Sequence, residues 1–164
     1  MVRDELAEPL VLTHLPGHEY FRLRGSDQPP ALPDDGRSPL PAAYFPPAGG
    51  FRFGFFVVPP AVAQAGDLDL AAVLAEFEQK LPGMAAVLEP DDPGMHTTDT
   101  IDFDVVIAGE VCLELDDGVE VLLKAGDSVV QNGARHRWTN RSSSPCLIAV
   151  CLVGAHRKPL APGP

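Results

Sequence analysis

The chain has 164 residues, of which 45% are hydrophobic and 21% are charged, which is typical of one globular domain with a real core. Its formal net charge of −11 argues against nucleic-acid and anionic-membrane partners, because both need clustered lysine and arginine. The sequence has no apolar run of the roughly eighteen residues that a membrane helix needs, and its acidic amino terminus is unlike a secretion signal. We therefore expect a cytoplasmic protein that binds neither nucleic acid nor membrane.

The first 50 residues predict an extended arm that acts as a lid or a dimer segment. A short strand is expected at residues 20–24, where polar and apolar residues alternate. His14 and His18 are four residues apart, but Pro16 and Gly17 break the helix that would put them on one face, so a surface or lid role is expected.

Residues 25–50 are rich in proline and glycine and predict either an ordered arm or a mobile loop. Leu40, Tyr44 and Phe45 lie within this stretch and favour an arm that docks on an apolar surface. That surface belongs either to the domain itself or to a second subunit.

Residues 51–58 predict a strand that ends at Pro59 and Pro60, and its partner is expected at residues 84–89. Residues 68–81 carry an apolar stripe at helical spacing and predict one helix, at about 69–81. Its N-cap is expected at Asp67 or Asp69. Its polar face, Glu76, Glu78 and Gln79, is expected to be solvated.

From residue 95 onward the pattern changes to short strands and tight turns, which predict an antiparallel sandwich or barrel. The Asp117-Gly118 pair between two strand-like segments is the strongest hairpin signal in the chain. Cys112, Cys146 and Cys151 lie inside apolar strands and are expected to be reduced thiols, since no paired zinc-type spacing is present. Strands are expected at 101–108, 111–115, 119–123, 128–131, 136–140 and 146–153, and a disordered tail at 154–164.

Two short motifs in this region resemble those of the cupins. The first is carried by His96, Thr98, Asp102 and Gly109, and the second by Gly126, residues 131–133, His136 and Asn140. The resemblance covers about residues 84–153. It implies an all-β fold, the double-stranded β-helix or jelly-roll barrel, which we place at residues 51–153. Cupins include decarboxylases, dioxygenases, isomerases, storage proteins and sensors, so the resemblance does not by itself define the function.

The resemblance implies a metal site at His96, Asp102 and His136. Two imidazoles and one carboxylate are the ligand set of non-haem Fe(II), and Mn, Ni, Co and Zn are also permitted. This chain has Thr98 at the position of the family's second histidine and Asp102 at that of its glutamate. The alternative is a metal-free polar pocket in which Asp102 accepts a hydrogen bond from one of the histidines. Asp99 is a second candidate carboxylate.

The remaining site predictions follow from strand alternation and from the motifs. Asp102 and Asp104 share one strand face, and His136, Trp138 and Asn140 share another. Trp138 either stacks on a flat substrate or fills the core. Asp99 and Asp104 are the candidate catalytic acid/base groups, and the candidate substrate pocket comprises Thr98, Gln131, Trp138 and Asn140. Arg135 and Arg137 are expected to be surface charges.

Two functions remain open from the sequence. The first is a metal-dependent enzyme acting on a small carboxylated, aromatic or oxygenated metabolite, by decarboxylation, isomerisation or dioxygen chemistry. The second is a non-catalytic cupin that binds or senses a small molecule without metal. A homodimer is expected under either function.

Overall fold

The computed structural model describes residues 7–34, 40–61 and 68–158. Nine strands and two helices occur in this part of the chain. In chain order they are β1 (Leu10–Val11), β2 (Glu19–Ser26), β3 (Phe51–Val58), α1 (Leu70–Lys80), α2 (Met84–Val87), β4 (Thr100–Ala108), β5 (Glu110–Leu115), β6 (Glu120–Lys124), β7 (Ser128–Asn132), β8 (His136–Thr139) and β9 (Cys146–Gly154).

The strands form two antiparallel sheets that face each other. One has six strands in the order β1-β2-β3-β9-β4-β7, and the other has three in the order β6-β5-β8. In β9 every second residue is buried, because alternate side chains of a strand point to opposite faces. The predicted all-β jelly-roll architecture is confirmed. A core between the sheets contains Val58, Val106, Val111, Leu113, Leu123, Cys146 and Ile148.

Two glycines make the tight connections of the barrel. Gly118 has φ of 76° in the turn between β5 and β6, at the predicted Asp-Gly pair. Gly109 has φ of 79° between β4 and β5, and a Cβ there would lie 2.5 Å from the carbonyl oxygen of Pro145. Glycine is therefore required at Gly109 both by its backbone conformation and by the space around it.

Helix α1 begins at the predicted cap. The Asp69 side chain accepts a hydrogen bond from the backbone N–H of Ala72, while the other candidate cap, Asp67, lies outside the described residues. The helix packs with α2 and with parts of the arm into a second apolar cluster. That cluster contains Leu12, Tyr20, Val73, Phe77, Leu81 and Met84, with Tyr44 and Phe45 packed against it.

The arm docks on its own domain. Tyr44 makes edge-to-face ring contacts with Tyr20 and Phe45, at centroid distances of 5.7 and 5.0 Å. Arg52 is buried and donates hydrogen bonds to the carbonyl oxygens of Ala43 and Phe45, which fastens this part of the arm to β3. The sequence left open whether the arm docks on the domain itself or on a second subunit. In the structure, Tyr44 and Phe45 contact the domain itself.

Two expectations about this region are wrong. Residues 84–87 form α2 and do not pair with β3, which lies between β2 and β9. Glu76 is buried, although the polar face of α1 was expected to be solvated. Its carboxylate accepts hydrogen bonds from the backbone N–H groups of Thr13 and His14. These bonds hold the amino-terminal segment against the helix.

The described carboxyl-terminal residues continue from β9. Arg157 donates hydrogen bonds to Asp99 and to the carbonyl oxygen of Thr98, so this end lies against the residues before β4. The rest of the predicted tail, residues 159–164, lies outside the described residues. No helix within the described ranges is long and apolar enough to cross a membrane.

Candidate functional site

A cavity of about 360 Å³ lies inside the barrel and extends toward α1, α2 and the docked arm. Its volume lies in the range of small-molecule sites in proteins. Its lining combines two sets of side chains, an apolar and aromatic set that we call the apolar wall and a set of imidazole and carboxyl groups that we call the polar wall. The apolar wall includes Tyr20, Tyr44, Phe45, Phe56, Val73, Phe77, Met84, Leu88 and Trp138, and the polar wall includes His96, Asp102, Asp104 and His136.

The two histidines of the predicted metal site face each other. The backbone N–H of His96 donates to the carbonyl of His136 at 3.0 Å, and the reverse bond is 2.9 Å. This reciprocal pair makes the two residues direct antiparallel neighbours whose side chains lie on the same face. Their ring centroids are therefore only 4.2 Å apart.

The hydrogen bonds of the rings define their tautomers. Nδ1 of His96 lies 3.0 Å from the carbonyl oxygen of Gly94, and Nδ1 of His136 lies 2.9 Å from that of Ala134. A carbonyl oxygen can only accept, so each neutral ring carries its proton on Nδ1. Each Nε2 consequently keeps a lone pair that can accept a hydrogen bond or bind a metal.

Burial keeps both imidazoles neutral. Desolvation lowers the pKa of His96, and the hydrogen bond to the Gly94 carbonyl opposes this only in part. Desolvation, followed by repulsion from His96, lowers the pKa of His136 to about 4. At neutral pH the pair is therefore a pair of hydrogen-bond acceptors and not a cationic site.

The two carboxyl groups on β4 are also buried. Asp102 and Asp104 are 6% and 5% exposed, and both line the cavity. Desolvation raises the pKa of Asp102 to about 6, against the effect of the Thr100 hydroxyl. Desolvation and the neighbouring Asp102 raise the pKa of Asp104 to about 8. Oδ1 of Asp102 is buried without a hydrogen-bond partner among the described residues.

The predicted ligands do not form a three-ligand metal site. Across residues 7–34, 40–61 and 68–158, no three histidine, cysteine, aspartate or glutamate side chains are grouped so that they could hold a metal ion. The His96 and His136 rings are adjacent, but their Nδ1 atoms bind carbonyl oxygens and Asp102 bonds to neither ring. The described side chains thus offer two nitrogen ligands, and they do not fit a metal ion bound by two histidines and one carboxylate.

Three of the sequence-predicted site residues lie outside the cavity wall. Thr98 is buried, and its hydroxyl accepts a hydrogen bond from that of Thr100. Asp99 is largely exposed and forms an ion pair with Arg157. Gln131 is the cross-strand neighbour of Asp102, and its buried Nε2 has no partner among the described residues.

The other two predicted pocket residues lie at the cavity and differ in role. Trp138 lines it and makes an edge contact with Phe56 at 6.0 Å, so its ring forms part of the aromatic wall. Asn140 also borders it, but its amide donates to the carbonyls of Val58 and Ser144. The side-chain Oδ1 of Asn140 accepts hydrogen bonds from the backbone N–H and the hydroxyl of Ser142. Asn140 therefore chiefly links β3 to the loop before β9.

Ion pairs hold the histidine pair in place. Arg135 donates to both carboxylate oxygens of Glu89 at 2.7 Å, and to Asp92 at 2.8 Å. Arg137 pairs with Asp92 and with Glu114 on β5. The two arginines that flank His136 therefore clamp the loop before His96 onto β8. They were expected to be simple surface charges.

Sequence reasoning did not assign Tyr20, Tyr44, Phe56 or His18 to the site, and all four line the cavity. Burial lowers the pKa of His18 to about 4. The aromatic residues of the arm were a usable signal, because aromatic side chains in a proline-rich segment need an apolar surface. The two cupin-like motifs begin at His96, so their spacing cannot predict a role for these four earlier residues.

Comparison with known proteins agrees with this fold. The family described as Cupin domain matches residues 86–153. These residues run from α2 to β9, and they include both motifs and the whole imidazole-carboxyl wall. Residues 86–153 are therefore similar to the cupin domain family, and the resemblance predicted from the two motifs is confirmed.

Curated relatives are similar over part of their length. The Phomopsin biosynthesis cluster protein C′ of Diaporthe leptostromiformis is 52% identical over 48 residues, 29% of this chain and 25% of that protein. The Oryzines biosynthesis cluster protein J of Aspergillus oryzae is 44% identical over 78 residues, 44% of each chain. The matches thus span less than half of these relatives.

The solved structures to which the chain is similar have low sequence identity to it. A Cupin 2 conserved barrel domain protein from Salinispora arenicola is 17% identical with a TM-score of 0.45, covering 92% of both chains. The plu4264 protein of Photorhabdus luminescens is 10% identical with a TM-score of 0.48, covering 93% of this chain and 86% of that one.

Proposed function

We propose that this cupin binds a small organic metabolite in its barrel cavity and holds the polar end of that molecule against the imidazole-carboxyl wall. The observation that carries the proposal is the cavity of about 360 Å³, whose lining divides by chemistry into aromatic and apolar side chains and a smaller set of imidazole and carboxyl groups. Such a division fits a ligand with an apolar body and one polar end, because buried polar groups of the ligand then meet hydrogen-bonding partners.

The imidazole pair supplies acceptors to this ligand. Each Nε2 has a lone pair, since each Nδ1 is committed to a backbone carbonyl. A hydroxyl or amine of the ligand donates to them, and burial of the pair strengthens that bond relative to water. The names of the partial relatives favour a biosynthetic intermediate as the bound molecule.

Trp138 provides the direct test of this proposal. It is the single tryptophan of the chain and lies in the cavity wall, so a ligand that enters changes its emission. We expect saturable changes on titration with small aromatic amines and alcohols. Val150→Phe fills part of the cavity and should abolish them, whereas Val121→Phe, at an exposed position on β6, should not.

If no compound in a broad panel of small aromatic and aliphatic molecules produces a saturable change, the proposal fails. Retention of binding by Val150→Phe would also contradict it, because the ligand would then be bound elsewhere. Melting temperatures of both variants show whether they are folded.

A metal-dependent enzyme is the second candidate, favoured by the neighbouring rings of His96 and His136, whose centroids are 4.2 Å apart and whose Nε2 atoms each keep a lone pair. In that case His96 and His136 would hold the metal, and it would supply Lewis-acid chemistry, with its other ligands coming from the substrate or from water. Titration with Fe, Mn, Co, Ni or Zn salts tests it, with His136→Ala as the control. A stoichiometric complex that requires both histidines supports this candidate, and its absence removes it.

We also propose that the protein is a homodimer through the outer face of the six-stranded sheet. Phe53, Cys151, Phe103 and Val130 form one row across β3, β9, β4 and β7. Phe53, Phe103 and Val130 are 42%, 48% and 53% exposed. An apolar row over four strands is typical of a self-association surface, because a second copy presents the same row to it.

A further inference from the structure

We infer that the molecule held in the cavity is an organic cation, an amine whose ammonium group binds between Asp102 and Asp104 while its apolar or aromatic body lies against the aromatic wall. The inference rests on the proposed small-molecule function and adds the chemical class of the ligand.

The carboxyl groups of Asp102 and Asp104 lack a cationic partner in the part of the chain that the structure describes. They alternate on one face of β4, and both line the cavity. Within the described residues no lysine, arginine or histidine forms an ion pair with either of them. Two adjacent buried carboxyls without a cation are an unfavourable arrangement, which a positively charged ligand would relieve.

The second observation is the unpartnered oxygen of Asp102. This residue is 6% exposed, and its Oδ1 has no hydrogen-bond partner among the described residues. Buried carboxylate oxygens in proteins are nearly always hydrogen-bonded. An ammonium group has three N–H donors and could satisfy this oxygen and an oxygen of Asp104 together.

The aromatic wall also suits a cation. Tyr44 lines the same cavity as Asp102 and Asp104, and its ring contacts that of Tyr20. Faces of aromatic rings attract ammonium groups through the ring quadrupole. An inorganic divalent ion is less suitable, because it needs several oxygen ligands and gains nothing from an aromatic wall.

A carboxylated ligand, one of the classes expected from the sequence, is the least favoured. It would bring a third acidic group beside Asp102 and Asp104. The single arginine among the described lining residues is Arg137, whose guanidinium is engaged by Glu114 and Asp92. No cation of the described wall is therefore free to bind a carboxylate.

Three probes with the same aromatic body test the inference. They are 2-phenylethylamine, 2-phenylethanol and 3-phenylpropionate, which end in an ammonium, a hydroxyl and a carboxylate. In titrations at neutral pH followed by Trp138 emission and calorimetry, we expect the amine to bind at least about tenfold more tightly than the alcohol. The carboxylate should bind most weakly.

Asp102→Asn and Asp104→Asn keep the side-chain shape but remove the charge. We expect each to reduce the amine affinity at least about tenfold and to leave the alcohol affinity nearly unchanged. Asp99→Asn is the matched control, because Asp99 is exposed and lies outside the cavity. The comparison of probes on the unaltered protein stays decisive even if a variant does not fold.

The outcomes separate this inference from the proposed function. Equal binding of amine and alcohol, or an amine preference that survives in both asparagine variants, overturns the inference and leaves the small-molecule function standing. If neither these probes nor any of the wider panel binds, the proposed function fails and the inference fails with it.

Discussion

His96 and His136 are joined by two reciprocal backbone hydrogen bonds, and their imidazole rings stand 4.2 Å apart at the cavity wall. The two residues are forty positions apart in the chain, yet the bridge makes them direct neighbours. Each ring is anchored through Nδ1 to a backbone carbonyl. The polar wall is thus preorganised before any ligand arrives.

The imidazole tautomers are the first prediction. Both neutral rings should carry the proton on Nδ1, because each Nδ1 lies at hydrogen-bond distance from a carbonyl oxygen. The ¹⁵N shifts of the rings in a two-bond ¹H–¹⁵N correlation spectrum measure this. His136 should begin to protonate only as the pH approaches about 4. An Nε2-protonated ring, or a His136 pKa at the ordinary value of 6.5, would contradict the proposed wall.

The buried carboxyl of Asp104 is expected to reduce the stability of the ligand-free protein. Asp104→Asn should raise the free energy of unfolding by about 1–3 kcal/mol, because it removes an uncompensated buried acid. In a chain of this size that corresponds to an increase in melting temperature of several degrees. The control Asp99→Asn should change stability by less than about 0.5 kcal/mol.

The same variant has a pH signature. The folded pKa of Asp104 is raised from 3.8 to about 8, so the native state holds a proton that the unfolded state has released. Stability contributed by this group therefore falls as the pH rises from about 4 to about 8. The gap in melting temperature between Asp104→Asn and the unaltered protein should widen over that range. A gap that does not change with pH would contradict the assignment.

Glu76 is predicted to fasten the amino-terminal segment to α1. Glu76→Gln should increase the hydrogen-exchange rates of the Thr13 and His14 amides, which donate to its carboxylate at 2.7 and 2.8 Å. Glu78→Gln is the control, because Glu78 is exposed on the same helix. Equal exchange rates in the two variants would show that the carboxylate does not hold the segment.

Glu76 also gives a second pH dependence. Burial opposes ionisation, but the Lys80 ammonium and the two backbone donors outweigh it and lower the pKa of Glu76 to about 2. A lowered carboxyl pKa stabilises the native state above the unfolded value of 4.5, and this stabilisation is lost as the pH falls toward about 2. Acid unfolding of the unaltered protein should be steeper in that window than that of Glu76→Gln.

The proposed dimer is tested by Phe103→Asp. Phe103 lies at the centre of the exposed apolar row, between Cys151 and Val130, and a charge there would be desolvated in the dimer. Light scattering should give a dimeric mass for the unaltered protein and a monomeric mass for the variant. Leu122→Asp, at an exposed position of the other sheet, should remain dimeric. A monomeric unaltered protein would refute the proposal.

The barrel was predictable because its signals are local. Alternation placed Asp102 and Asp104 on one buried face of β4, and the Asp117-Gly118 turn fixed the β5-β6 hairpin. Helix α1 and its cap at Asp69 could likewise be predicted from local sequence. Each of these features depends only on residues close together in the sequence.

The rest of the site depends on contacts between distant residues. The bridge between His96 and His136, and the carbonyl anchors of their rings, leave no pattern in the sequence. The second motif histidine is replaced by Thr98, and the family spacing alone could not reveal that Asp102 would point at the cavity without bonding to either imidazole. Glu76 has the spacing of a solvated helix face, and only the returning amino-terminal segment buries it.

A crystal structure with the tightest-binding amine from the probe series would test the central claim most directly. We predict density for the amine inside the barrel, with its nitrogen within hydrogen-bond distance of Asp102 Oδ1 and its body against Trp138 and Tyr44. Density for the amine on the outer surface only, with the barrel cavity closed by side chains or filled with ordered water, would contradict the account.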